Sequence, residues 1–131
     1  MNGQKPRSIR IDKNWNWHME AKTSADNKTW SEVEMSDISD GGLGFSTSKS
    51  YNKGDILFID AYINPKMVRF GDISITTQSV VTGVRQSGEN NFIVGVRFTG
   101  LSNDAQSYLG SIVDIIISKY GVADAPGFLE T

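Results

Sequence analysis

The sequence predicts a mainly antiparallel β-barrel with one C-terminal helix, an all-β class closed by a single helical element, and three observations predict it. Apolar and polar residues alternate in short segments between Trp15 and Phe98, the pattern of half-buried strands. Clusters of Gly, Asn and Asp punctuate those segments at turn spacing. After Leu101 the apolar period lengthens to three and four residues, as on a helix with one buried stripe. A chain of 131 residues can bury roughly two-thirds of its unfolded surface, enough for one core without metal or disulfide.

The first strand runs from Asn14 to Lys22, with Trp15, Trp17, Met19 and Ala21 on one face and Asn14, Asn16, His18 and Glu20 on the other. Ser24-Ala25-Asp26-Asn27 supplies a turn, and Trp30 to Ile38 follows as the second strand of a hairpin, with Val33 and Met35 facing one way and Glu32 and Glu34 the other. Asp40-Gly41-Gly42 interrupts it before a short strand from Leu43 to Thr47. Asn52-Lys53-Gly54-Asp55 turns the chain into Ile56 to Ile63. Two further strands, Ile73 to Arg85 and Asn91 to Phe98, are joined by Ser87-Gly88-Glu89-Asn90, which offers the glycine and asparagine that positive φ demands. Leu109, Ile112, Val113, Ile116, Ile117 and Tyr120 then share a helical stripe, capped by Ser102 or Asn103, favoured by Asp104 and stopped by Gly121. Residues 1–120 form the domain on this reading, and 121–131, with neither period nor cap, form a flexible tail.

Composition excludes several classes of function. There is no cysteine, hence no disulfide framework, thiolate nucleophile or cysteine-ligated metal, and a cytoplasmic location is expected. No apolar stretch approaches the roughly 20 residues of a membrane span, and a net charge of -2 argues against coating duplex DNA. Charge is uneven, however. Lys5, Arg7, Arg10 and Lys13 face the single acid Asp12 in the leading segment, a local cation suited to a small anionic ligand.

Catalysis finds little support. His18 is the only histidine and lies on the polar face of a strand, so no nucleophile-base arrangement can be built around it. Asp37 and Asp40 are too ordinary a pair to imply a glycosidase or a metal site, and Asp40-Gly41-Gly42-Leu43-Gly44 lacks the lysine of a P-loop. A phosphodiesterase would need a metal cluster or an activated base that the chain does not offer. No enzyme activity, cofactor or metal is expected.

The informative segment is Asp37-Ile38-Ser39-Asp40-Gly41-Gly42-Leu43-Gly44-Phe45, where one strand ends and the next begins. Alternation puts Asp37 and Ser39 on one side. A carboxylate can accept from the N1 and N2 edge of guanine, and a hydroxyl with exposed amides can hold a phosphate. Taken alone, the same residues read first as a plain turn in which Asp37 or Ser39 bonds its own backbone.

With Asp37, Ser39 and Gly42 in the pattern D-x-S-x-x-G, Gly54-Asp55 ahead of an apolar strand and Val94-Gly95-Val96-Arg97-Phe98 near the end of the barrel, the chain resembles the PilZ family of bacterial cyclic di-GMP receptors. The resemblance covers about residues 4 to 118. It implies a six-stranded antiparallel barrel with a C-terminal helix, no catalysis, and cyclic di-GMP clamped between the D-x-S-x-x-G surface and an arginine-bearing N-terminal loop, with occupancy signalled to a protein partner. Arg7, Arg10, Asp37, Ser39 and Gly42 are the ligand-binding residues it implies, with no DNA partner and no membrane insertion.

In the loop the chain departs from the family. The arginine motif is R-x-x-x-R, whereas Arg7 and Arg10 stand three apart, so either alignment loses a guanidinium, to Gly3 or to Pro6. Arginine's planar fork bridges phosphate oxygens or guanine O6 and N7, and lysine supplies only a point charge. The rival reading is therefore a PilZ-like interaction module that has lost nucleotide binding. Trp15, Trp17 and Trp30 read as core volume, with stacking faces for guanine as the alternative, and Arg97 reads as a solvated position.

Overall fold

The computed structural model describes residues 8–10, 18–64 and 73–120, and in them the alternating segments form seven strands and one helix. These are β1 (Ser8–Arg10), β2 (His18–Ser24), β3 (Ser31–Ser39), β4 (Gly42–Thr47), β5 (Ile56–Asn64), β6 (Ile73–Gly88), β7 (Asn91–Phe98) and α1 (Asn103–Tyr120). Strands β2 to β7 run in the order β3-β2-β5-β6-β7-β4, and β4 pairs back onto β3, so a six-stranded antiparallel barrel closes. Closure leaves no long edge of unpaired amides.

The period-two pattern sorts residues between core and surface. Along β5, Leu57, Ile59, Ala61 and Ile63 are buried while their neighbours are not. Phe45, Leu43, Val94 and Val96 fill the interior from β4 and β7. Each such side chain contributes roughly 1.5–3 kcal/mol by leaving water. From α1, Leu109, Ile112 and Val113 join the same cluster, as the helical spacing requires, and the helix lies against β1 and β3. Its first turn is capped by Ser102, whose Oγ accepts the Ala105 amide at 3.1 Å.

Turn chemistry falls where the sequence puts it. Asn27 (φ 63°) and Asn90 (φ 57°) take the left-handed conformation in the β2–β3 and β6–β7 turns, and Gly54 (φ 96°) does so before β5. The Gly54 turn is tied to β6 by hydrogen bonds from Gly54 N to Val81 O and from Val81 N to Asp55 O, both 2.8 Å.

Two differences from the sequence reading matter. The segment expected to be an arginine loop contains a strand, β1, which a three-residue stretch without alternation cannot announce. Pairing with β3 creates it: β2 takes the β3 edge at Ser31 to Val33, and β1 takes the same edge further on, at Asp37 to Ser39. Strand β6 extends to Gly88, beyond Arg85. The expected strand start at Asn14 to Trp17, the stop at Gly121 and the tail 121–131 lie outside the described residues.

Candidate functional site

The site begins with a bulge. Met35 pairs with Phe45 and Asp37 with Gly44, so Ser36 is an extra residue in β3. Met35 and Ile38 consequently both reach the core although they are three apart, and Asp37 is turned to the opposite face. Asp37 is nonetheless fully buried, and its Oδ1 accepts a hydrogen bond from Ser36 Oγ at 3.4 Å. Gly44, across from it, provides the room: a Cβ there would collide with Asp37 Oδ1 and crowd Ser36 Oγ.

Ser39 is 2 % exposed and holds the β3–β4 turn together. Its Oγ accepts the amides of Gly41 and Gly42 at 3.2 and 3.1 Å, and it donates to Gly42 O at 3.3 Å. The turn reading of the D-x-S-x-x-G segment thus describes its hydroxyl. Two amides are gathered at one oxygen, which fixes the direction in which the chain re-enters the barrel.

Strand β1 brings the basic segment to this hairpin. Ser8 pairs with Ser39, Ile9 with Ile38 and Arg10 with Asp37. Directly opposed residues of antiparallel strands have Cα atoms about 4.5–5.5 Å apart, so Arg10 is at the site by backbone register alone. Arg7, with Trp15 and Trp17, lies outside the described residues, and Trp30 is half-buried just before β3.

Gly42 has no positive φ, so the glycine is not there for a left-handed turn. A Cβ at position 42 would run into the carbonyl oxygen of Val96 and stand 3.3 Å from Arg97 Cα. Glycine is needed because β7 backbone fills that space, with Gly42 paired to Arg97. Gly44, quoted in the informative segment but given no role of its own there, is required as well, and its signal was its place two residues after Gly42, on the same face.

A concavity of about 420 Å³ lies between α1 and the turn and is lined by Asp40, Gln106, Ser107 and Asp114 among others. Its lining holds two carboxylates and no lysine or arginine, which disfavours an anion there. Among the described residues no group of three His, Asp or Glu is placed to hold a metal ion, and no helix is long and apolar enough to cross a membrane.

A family model described as PilZ domain matches residues 5–114. No curated protein matches the sequence. Among solved structures, the Bacillus subtilis inhibitor of motility (MotI/DgrA) is similar with a TM-score of 0.71 at 10% identity, over 92% of this chain and 53% of that one. The MrkH–c-di-GMP complex of K. pneumonia gives 0.66 at 19% identity, over 91% and 54%. The PilZ domain of Escherichia coli YcgR, solved with c-di-GMP, gives 0.62 at 15% identity, over 90% and 94%. The chain therefore spans about half the length of the first two. At these identities the likeness is one of fold, and the six-stranded barrel with its C-terminal helix is the architecture expected from the D-x-S-x-x-G resemblance.

Proposed function

This chain belongs to the PilZ domain family, and from that premise we propose that it is a non-enzymatic receptor for cyclic di-GMP that reports occupancy to a protein partner. Residues 1–120 act as the receptor unit, in the cytoplasm. Two of the structurally similar proteins were solved with that ligand, MrkH and the YcgR PilZ domain. The observation that carries the reading is the β1–β3 register, in which Arg10 stands opposite Asp37 and Ser8 opposite Ser39. It brings Arg10 of the cationic segment to the D-x-S-x-x-G hairpin, which supports a site where a phosphate donor and a guanine acceptor meet. Arg7 and Arg10 supply forked donors to phosphate or to guanine O6 and N7, and Asp37 accepts from the guanine N1 and N2 edge. Ser39 and Gly42 shape the turn that presents them. Ligand bound across β1 and β3 would make the surface that a partner reads.

One observation favours a second reading, an interaction module that has lost nucleotide binding. Asp37 and Ser39 are both buried, and the Ser39 hydroxyl is already engaged by Gly41 and Gly42. Calorimetric titration separates the two. Cyclic di-GMP and cyclic di-AMP are titrated into wild type, Arg7→Ala, Arg10→Ala and Asp37→Ala at two ionic strengths. The receptor reading expects saturable binding of cyclic di-GMP, a loss of about 1–3 kcal/mol in each arginine variant, and an eroded preference for guanine over adenine in Asp37→Ala. Salt should weaken wild type more than the arginine variants, because each removed cation deletes a phosphate contact. Absence of saturable wild-type binding at millimolar ligand overturns it in favour of the interaction module.

A further inference from the structure

We propose that Arg97 is a third arginine of the nucleotide site, holding the ligand from the β7 side of the β3–β4 hairpin; this rests on the receptor reading above. The hairpin has two flanks. On one, β1 sets Arg10 opposite Asp37. On the other, β7 sets Arg97 opposite Gly42, the last residue of the D-x-S-x-x-G pattern. The adjoining pair, Leu43 and Val96, is buried in the core, so alternation turns Arg97 to the face that Asp37 also takes. Arg97 is exposed, and no hydrogen bond or ion pair among the described residues engages its guanidinium.

Gly42 and Gly44 contribute no side chain between the two positions, and the β7 residue opposite Gly44 is Gly95. All three glycines are buried, as Asp37 is, while Arg97 is exposed. Asp37 and Arg97 are two strands apart across the sheet and offset by two residues along it, about 12 Å between Cα atoms at ordinary strand spacings. A cyclic dinucleotide, with two phosphates and two purines, can address a carboxylate at one point and a guanidinium at the other. Arginine suits the second role because it bonds phosphate with two parallel N–H groups and stacks on a purine face. The departure in the basic segment then has a compensation. Arg7 and Arg10 stand three apart where the motif needs four, and Arg97 returns a guanidinium from the opposite flank.

The test is a cyclic di-GMP titration of wild type, Arg97→Ala, Arg97→Gln and Lys28→Ala at two salt concentrations, with a thermal melt of each. Lys28 is an exposed cation in the β2–β3 turn, at the far end of β3 from Asp37, and controls for general charge. Both Arg97 variants should melt like wild type and bind roughly tenfold more weakly or worse, with a smaller salt dependence. Lys28→Ala should bind as wild type does. Arg97→Gln keeps the stem, so it carries the test if the alanine variant melts early. Wild-type affinity in a folded Arg97 variant, or an equal loss in Lys28→Ala, overturns this role and leaves the receptor reading standing. No binding by wild type itself overturns both.

Discussion

Gly44 lies directly opposite Asp37 in the β3–β4 pairing, and the Asp37 carboxylate occupies the space into which any side chain at position 44 would project. One residue's missing side chain and another's burial are therefore a single feature. The bulge at Ser36 turns the carboxylate outward, and the glycine lets it lie against the neighbouring strand.

Gly44→Ala should consequently cost about 1–3 kcal/mol of stability through overpacking. Backbone strain does not contribute, since Gly44 has no positive φ. Urea unfolding measures the loss, and a variant as stable as wild type would show that the carboxylate moves aside freely.

Gly42→Ala should be worse, because the obstacle is the Val96 carbonyl of the β4–β7 ladder and not a side chain that can rotate. A loss of about 3 kcal/mol or more is expected, at the upper end of overpacking costs. Gly41→Ala is the matched control: a Cβ there meets nothing within 4 Å, and the change should stay within about 0.5 kcal/mol. Equal melting temperatures for the two variants would contradict the packing role given to Gly42.

Ser39→Ala removes the acceptor of the Gly41 and Gly42 amides in a buried setting. Stability should fall by about 1–3 kcal/mol, the usual cost of leaving buried donors unmet. Hydrogen exchange should quicken at those two amides before it quickens along β5. Unchanged exchange there would mean that another acceptor takes over.

The β2–β3 turn should carry an acid-range dependence. Asp26 Oδ1 accepts from Thr29 N and Lys28 N, both at 2.8 Å, and from Ser24 Oγ at 3.0 Å. The Thr29 amide first, then the Lys28 amide and the Ser24 hydroxyl, hold its carboxyl below the ordinary 3.8. A carboxyl with a lowered folded pKa stabilises the fold fully above its unfolded value and loses that contribution as pH falls through the folded one. Wild type should thus exceed Asp26→Asn in urea midpoint at neutral pH, and the gap should close at pH values below 3.8. A gap that persists in strong acid would assign the difference to turn geometry and not to charge.

Much of this architecture is written locally. Leu57, Ile59, Ala61 and Ile63 alternate because a pleated strand with one buried face demands it, and Leu109, Ile112 and Val113 recur at helical spacing for the same reason. Asn27, Gly54 and Asn90 mark turns because only such residues take positive φ at little cost. The D-x-S-x-x-G pattern at Asp37, Ser39 and Gly42 was likewise visible in the chain, and with it the family. The Ser39 turn is local too, but the roles of the glycines and of the basic segment were decided by pairing between strands. Gly42 is glycine because Val96 crosses it, Gly44 because Asp37 lies over it, and Ser8 to Arg10 form a strand because β3 offers them an edge. Arg97 stands alternate with core residues in its own strand and reads there as merely solvated; only barrel closure sets it beside Gly42. Periodicity records which side of a strand faces the core, whereas register between strands depends on bulges, turns and closure, and those appear only when the whole barrel is assembled.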